Sequence, residues 1–155
     1  MRKVKIITVV AVAAVLVLGI AACGLRSVDD EDDTIGERYV SAFKSSAETD
    51  PAKMAEDLVD LKIFNIAMDR VDVSEGYLDG FDTEITGFSK GTRFAPYISS
   101  IPFVGYVFET DDAQALLDQL NAAADTRWNI CTEADEVVSA SRDRLVFFLM
   151  CINEE

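Results

Sequence analysis

The sequence predicts an α+β domain: two N-terminal helices, then a β-α-β-β order that builds a small antiparallel or mixed sheet with the helices packed on one face. Helix-start signals at Thr34 and Asp50 are each followed by apolar residues at helical spacing. The runs Phe103–Thr110 (FVGYVFET) and Leu145–Ile152 (LVFFLMCI) are rich in β-branched and aromatic residues, as strands are. The segment between them opens on a helix cap, and no repeated βαβ pattern appears, so helices and strands segregate along the chain.

Taken in order, Thr34-Ile35-Gly36-Glu37 has the spacing of a capping box, with Thr34 as the cap and Glu37 reaching back. Ile35, Tyr39 and Phe43 fall four residues apart on one face, which predicts a helix ending near Ala47. Asp50-Pro51 starts a second helix, Asp50 as N-cap and Pro51 at the first helical position. Met54, Leu58 and Leu61 share its apolar face, so it runs to about Leu61. A strand follows from about Ile66 to Val73, although Phe64, Met68 and Val71 would also suit a continued helix.

Residues 76–102 are punctuated by Gly76, Gly80, Gly87 and Gly91 and restricted by Pro96 and Pro102. They are predicted as a long loop with a short strand at Thr83–Ile85, and a loop of that length is often functional. After the strand Phe103–Thr110, Asp111 is the expected cap of a helix with Gln114 at the capping-box position. Its apolar stripe is Ala113, Leu116, Leu117, Leu120 and Ala124, and it ends before Asp125. Trp128 to Cys131 is a short apolar piece in which Trp128 suits a core plug. Glu136–Ser141 and Leu145–Ile152 form a predicted hairpin around Arg142-Asp143. The eight apolar residues of its second arm predict a central strand covered on both faces.

Charge and composition exclude several functions. The 155 residues carry 14 Lys+Arg, 28 Asp+Glu and no histidine, a net charge of −14. Such acidity repels nucleic acid and anionic lipid headgroups, so neither nucleic acid nor direct headgroup binding is expected. The missing histidine excludes Ser-His-Asp and Cys-His catalysis and a histidine-ligated zinc. No phosphate-binding glycine loop, nucleophile elbow or CxxC pair is present, and no metal or cofactor is expected. The acidic run Asp29–Asp33 lacks the glycine and ligand spacing of a calcium loop; it has the character of an extended tether.

Four sets of side chains are candidates for function. Glu133 and Asp135, beside Glu136, could act as paired catalytic carboxylates, although an acidic chain produces such clusters by chance. Phe94 and Tyr97, ahead of the Phe103 strand, are candidate ligand-binding aromatics, ordinary core packing being the competing role. Cys131 and Cys151 could form a disulfide, which would contribute roughly 3 kcal/mol, or stay free with Cys151 buried. Arg127, Arg142 and Arg144 could bind an anion; the alternation of Arg142 and Arg144 around Asp143 favours a solvated turn.

The N-terminus carries a more specific pattern. Arg2, Lys3 and Lys5 precede seventeen uncharged residues, Ile6 to Ala22, and the run ends Ile20-Ala21-Ala22-Cys23-Gly24. A basic start, an apolar core and small residues at a cleavage point make an export signal. This one resembles the lipobox of bacterial lipoproteins, with Ile20 where leucine is commoner. The resemblance covers residues 1–24 and implies that Cys23 is diacylated and becomes the mature N-terminus. Lipid on that residue would give stable anchoring.

The expected organisation is thus a signal peptide (1–22), a lipidated acidic tether (23–33) and a single α+β domain (34–155). Loss of the signal leaves 133 residues with 11 Lys+Arg against 28 Asp+Glu, a net charge of −17. The expected function is that of an extracytoplasmic envelope lipoprotein on the cell membrane or outer membrane. It would serve as a binding or accessory module for a protein, peptide or glycan. An envelope hydrolase using the paired carboxylates, or a structural assembly partner, are the alternatives.

Overall fold

A computed structural model describes residues 33–98, 100–129 and 131–153. Residues 1–32, on which the expected signal peptide, most of the expected tether and Cys23 fall, lie outside the described residues. The chain adopts the α+β class. Helices α1 (Ile35–Ser45) and α2 (Pro51–Asp60) come first, followed by β1 (Met68–Val73), β2 (Gly76–Tyr77), β3 (Glu84–Ile85), β4 (Lys90–Pro96) and β5 (Val104–Glu109). Helix α3 (Ala113–Ala123), β6 (Glu136–Arg142) and β7 (Leu145–Cys151) complete it. Five strands form one antiparallel sheet in the order β1-β4-β5-β7-β6, and β2 and β3 pair separately. Among the described residues no helix is long and apolar enough to cross a membrane.

Both N-terminal caps form as the sequence predicts. Thr34 accepts from the Glu37 amide while Glu37 accepts from the Thr34 amide, and Asp50 accepts from Ala52 and Lys53 ahead of Pro51. The third cap is one residue later than expected. Asp112 rather than Asp111 accepts from the Ala115 amide, and Gln114 donates to Asp118 instead of closing a capping box. The hairpin is also shifted by one: Arg142 pairs with Leu145, so the turn is Asp143-Arg144, with Asp143 at φ 54°.

The helices occupy both faces of the sheet, not one. On the first face α1 and α2 set Tyr39, Phe43, Met54 and Leu58 against Phe94, Phe103, Val107, Phe147 and Leu149. On the second, α3 sets Leu116, Leu120 and Ala123 against Tyr106, Phe108, Val146, Phe148 and Met150. Alternate residues of β5 and β7 therefore enter different cores, and all seven residues of β7 are buried. Each fully buried large apolar side chain contributes about 1.5–3 kcal/mol.

The long loop predicted over 76–102 is instead core material. Its first part folds over the second face and buries Phe81, Ile85 and Phe88, with Phe81 4.9 Å from Phe148 and Phe88 4.7 Å from Phe108 by ring centroids. Its second part is β4, an interior strand between β1 and β5. KGTRFAP lacks period-2 alternation because both of its faces are covered: Gly91, Thr92, Phe94 and Ala95 are all buried.

Candidate functional site

The strand directions give the sheet two distinct ends. At the upper end β4 finishes at Pro96, β5 starts at Val104, β7 finishes at Cys151 and β6 starts at Glu136. At the lower end Lys90 of β4 faces Glu109 of β5, and the β6–β7 turn lies beside them. Of the candidate residues that are described, Tyr97, Arg127, Cys131, Glu133, Asp135 and Cys151 fall at the upper end, whereas Arg142 and Arg144 fall at the lower end.

The upper end is organised by Glu136. Its carboxylate accepts from Thr34 Oγ1 at 2.6 Å and from the Gly36 amide at 3.0 Å, holding the start of α1 onto the first residue of β6. A carboxylate at a helix N-terminus is favoured by the unpaired amides and the dipole there. Gly36 is required for this approach, since a Cβ would lie 2.6 Å from the Glu136 carboxyl. Register places Cys151 opposite Glu136, with Sγ 3.7 Å from Oε2. Burial pushes the Cys151 thiol up from its ordinary range, and the neighbouring carboxylate adds to the shift. Cys131 is exposed and Cys151 buried, and both are free.

Glu133 and Asp135 lie in the exposed approach to β6. Glu133 pairs with Arg127 at 3.1 Å and accepts from Thr126, while Asp135 accepts from the Asn153 amide at 3.3 Å. Both side chains are exposed to solvent and not enclosed in a pocket. The two candidate aromatics part company. Tyr97 follows β4 and is 72 % exposed. Phe94 is fully buried, its ring 6.1 Å from Tyr39 and 6.5 Å from Phe147, which corrects its expected role as an exposed ligand contact. The reason is strand register: Phe94 faces Gly105 of β5, and its ring occupies the space a side chain there would need. Trp128 packs partly buried against the second core, as a plug.

The lower end joins two of the candidate arginines, Arg142 and Arg144, to Lys90 and Glu109, which the sequence did not connect with them. A cleft of about 300 Å³ is lined by Asp50, Lys90, Glu109, Arg142, Arg144 and Leu145, among others. It adjoins a second of about 290 Å³ that shares Asp50 and Lys90. Glu109 is its hub, with Lys90 at 3.3 Å and Arg144 at 3.6 Å; Arg144 also pairs with Asp111 at 2.6 Å, and Lys90 lies 3.9 Å from Asp50. Arg142 is no solvated turn residue. Its guanidinium lies 5.6 Å from the Phe43 ring, donates to the Glu48 carbonyl and buries an Nε with no hydrogen-bond partner. The loop behind the cleft is fixed by Glu48, which accepts from the Asp50 and Thr49 amides; these bonds hold its carboxyl below the usual range.

Chemically, this cleft offers three cations matched by carboxylates over a partly apolar floor. That suits recognition of a ligand bearing both signs of charge, whose groups exchange partners with the resident ion pairs. The signal was present as Lys90, Arg142 and Arg144, but they are dispersed over 55 positions, and only the β4–β5–β7–β6 order brings them together. Among the described residues no cluster of acidic or cysteine side chains could hold a metal ion. Comparison with known protein families, characterised proteins and solved structures finds no match.

Proposed function

We propose that this protein is an extracytoplasmic envelope lipoprotein, anchored to the membrane through lipid on Cys23, whose acidic domain is a binding or accessory module. The observation that carries the reading is the pattern of basic residues, apolar run and Ile20-Ala21-Ala22-Cys23 at the N-terminus. The domain supports it in a second way. Helix α1 starts at the upper end and the polar cleft lies at the lower end, so a tether entering α1 leaves the cleft unobstructed by the attachment point. A protein, peptide or glycan partner can reach the cleft there.

The test is metabolic labelling with an alkyne-bearing fatty acid, followed by membrane fractionation, for the wild type and Cys23→Ser. The wild type should carry label and sediment with membranes, and the variant should lose both. Equal labelling would remove the anchor. The binding role is tested by photo-crosslinking from position 144 in intact cells. A discrete crosslinked species that disappears on Lys90→Glu supports the cleft, whereas a species indifferent to Lys90→Glu moves the surface elsewhere. The alternative of a carboxylate hydrolase has weaker support, because Glu133 and Asp135 are solvated and Glu133 is engaged by Arg127.

A further inference from the structure

Resting on the lipid-anchored reading, we propose that Tyr97 and Ile98 form a membrane-contacting tip, seated in the headgroup layer of the same bilayer that holds Cys23. Chain geometry gives the first reason. The ten peptide steps from Cys23 to Asp33 span at most about 35 Å. Helix α1 follows directly, its start locked to Glu136 at the upper end of the sheet. The start of α1 is therefore held within about 35 Å of the lipid, so the upper end can reach the bilayer surface.

Chemistry gives the second. The β4–β5 connection lies at that same upper end, and there Tyr97 is 72 % and Ile98 60 % exposed. Leu61, which ends α2 at this end, is 55 % exposed. The Tyr97 amide donates to the Ala67 carbonyl, so the backbone is fixed while the side chain stays in solvent. At the opposite end the β6–β7 turn is Asp143-Arg144, both charged and exposed. A tyrosine with an apolar ring and a wet hydroxyl suits the membrane–water interface. Two such residues bind a bilayer weakly alone, but an anchor already holds them at high local concentration. Asp79, Glu133 and Asp135 share this end with Arg93 and Arg127, so zwitterionic headgroups fit and anionic ones do not.

The test uses the full lipidated chain in vesicles of phosphatidylethanolamine and phosphatidylcholine doped with nitroxide-labelled lipid. In a Cys131→Ser background, Ile98→Cys or Asp143→Cys carries an environment-sensitive fluorophore; Cys151 is buried and does not compete. Quenching at position 98 should exceed that at 143 severalfold, and a label on native Cys131 of the unmodified chain should also be quenched more than at 143. Equal quenching at 98 and 143, or stronger quenching at 143, overturns the tip while leaving the anchor intact. A chain that neither carries fatty acid nor floats with vesicles removes the anchor, and the tip with it.

Discussion

Replacing Phe94 by alanine separates a core role from a binding role. Its ring is fully buried among Tyr39, Phe103 and Phe147, with Gly105 directly opposite. Truncating a phenylalanine in such a site loses its transfer free energy and leaves a cavity, together about 3–5 kcal/mol. Small domains have about 5–15 kcal/mol in total, so Phe94→Ala removes a large share. With a urea slope of about 1–3 kcal/mol/M, the unfolding midpoint should fall by about 2 M. Trp128 fluorescence provides the assay, since that residue packs against the opposite core and reports global unfolding. Gly105→Ala should itself destabilise by about 1–3 kcal/mol through overpacking. Because the new methyl group would fill space vacated by the ring, Phe94→Leu combined with Gly105→Ala should cost less than the sum of the two single changes. A midpoint for Phe94→Ala within experimental error of the wild type would refute the packing described for this face.

Stability should fall in alkali. Burial raises the Tyr39 hydroxyl to about 12 and pushes the Cys151 thiol and Tyr106 hydroxyl up as well, from ordinary values of 10.0, 9.0 and 10.0. Above pH 9 to 10 the unfolded chain releases these protons before the folded chain does, so each group approaches a loss of about 1.4 kcal/mol per pH unit. A urea midpoint that is flat from pH 8 to 11 would contradict this burial. With Cys23 replaced by serine, thiol titration should find one reactive group when native, Cys131, and two in denaturant; a mass 2 Da lower before reduction than after would reveal a disulfide instead. Glu136→Gln, which removes the charge held by Thr34 and the Gly36 amide, should cost about 1–3 kcal/mol and lower Tm by about 5–10 °C; an unchanged Tm would show that α1 needs no such clamp. Asp50→Ala should cost about 1 kcal/mol through loss of the α2 cap, measured by the same melts.

The sequence by itself determined the features that depend on neighbours a few residues apart. Caps at Thr34 and Asp50, the four-residue spacing of Ile35, Tyr39 and Phe43, and the unbroken apolar run of β7 are local codes, and the structure obeys them. Where the code was degenerate it slipped by one residue, as at Asp111 and Asp112, two adjacent aspartates either of which could cap α3. The tertiary structure alone decided what depends on residues far apart in the chain. Strand β4 carries little strand signal because Gly91 stands where the Phe108 ring of β5 packs, and the burial of Phe94 depends on Gly105 in β5, which leaves room for its ring. Burial of Phe94, division of the helices between two faces, and convergence of Lys90, Glu109 and Arg144 in one cleft all follow from pairing order. Pairing order is set by the balance of two whole cores and leaves no periodic trace within any single segment.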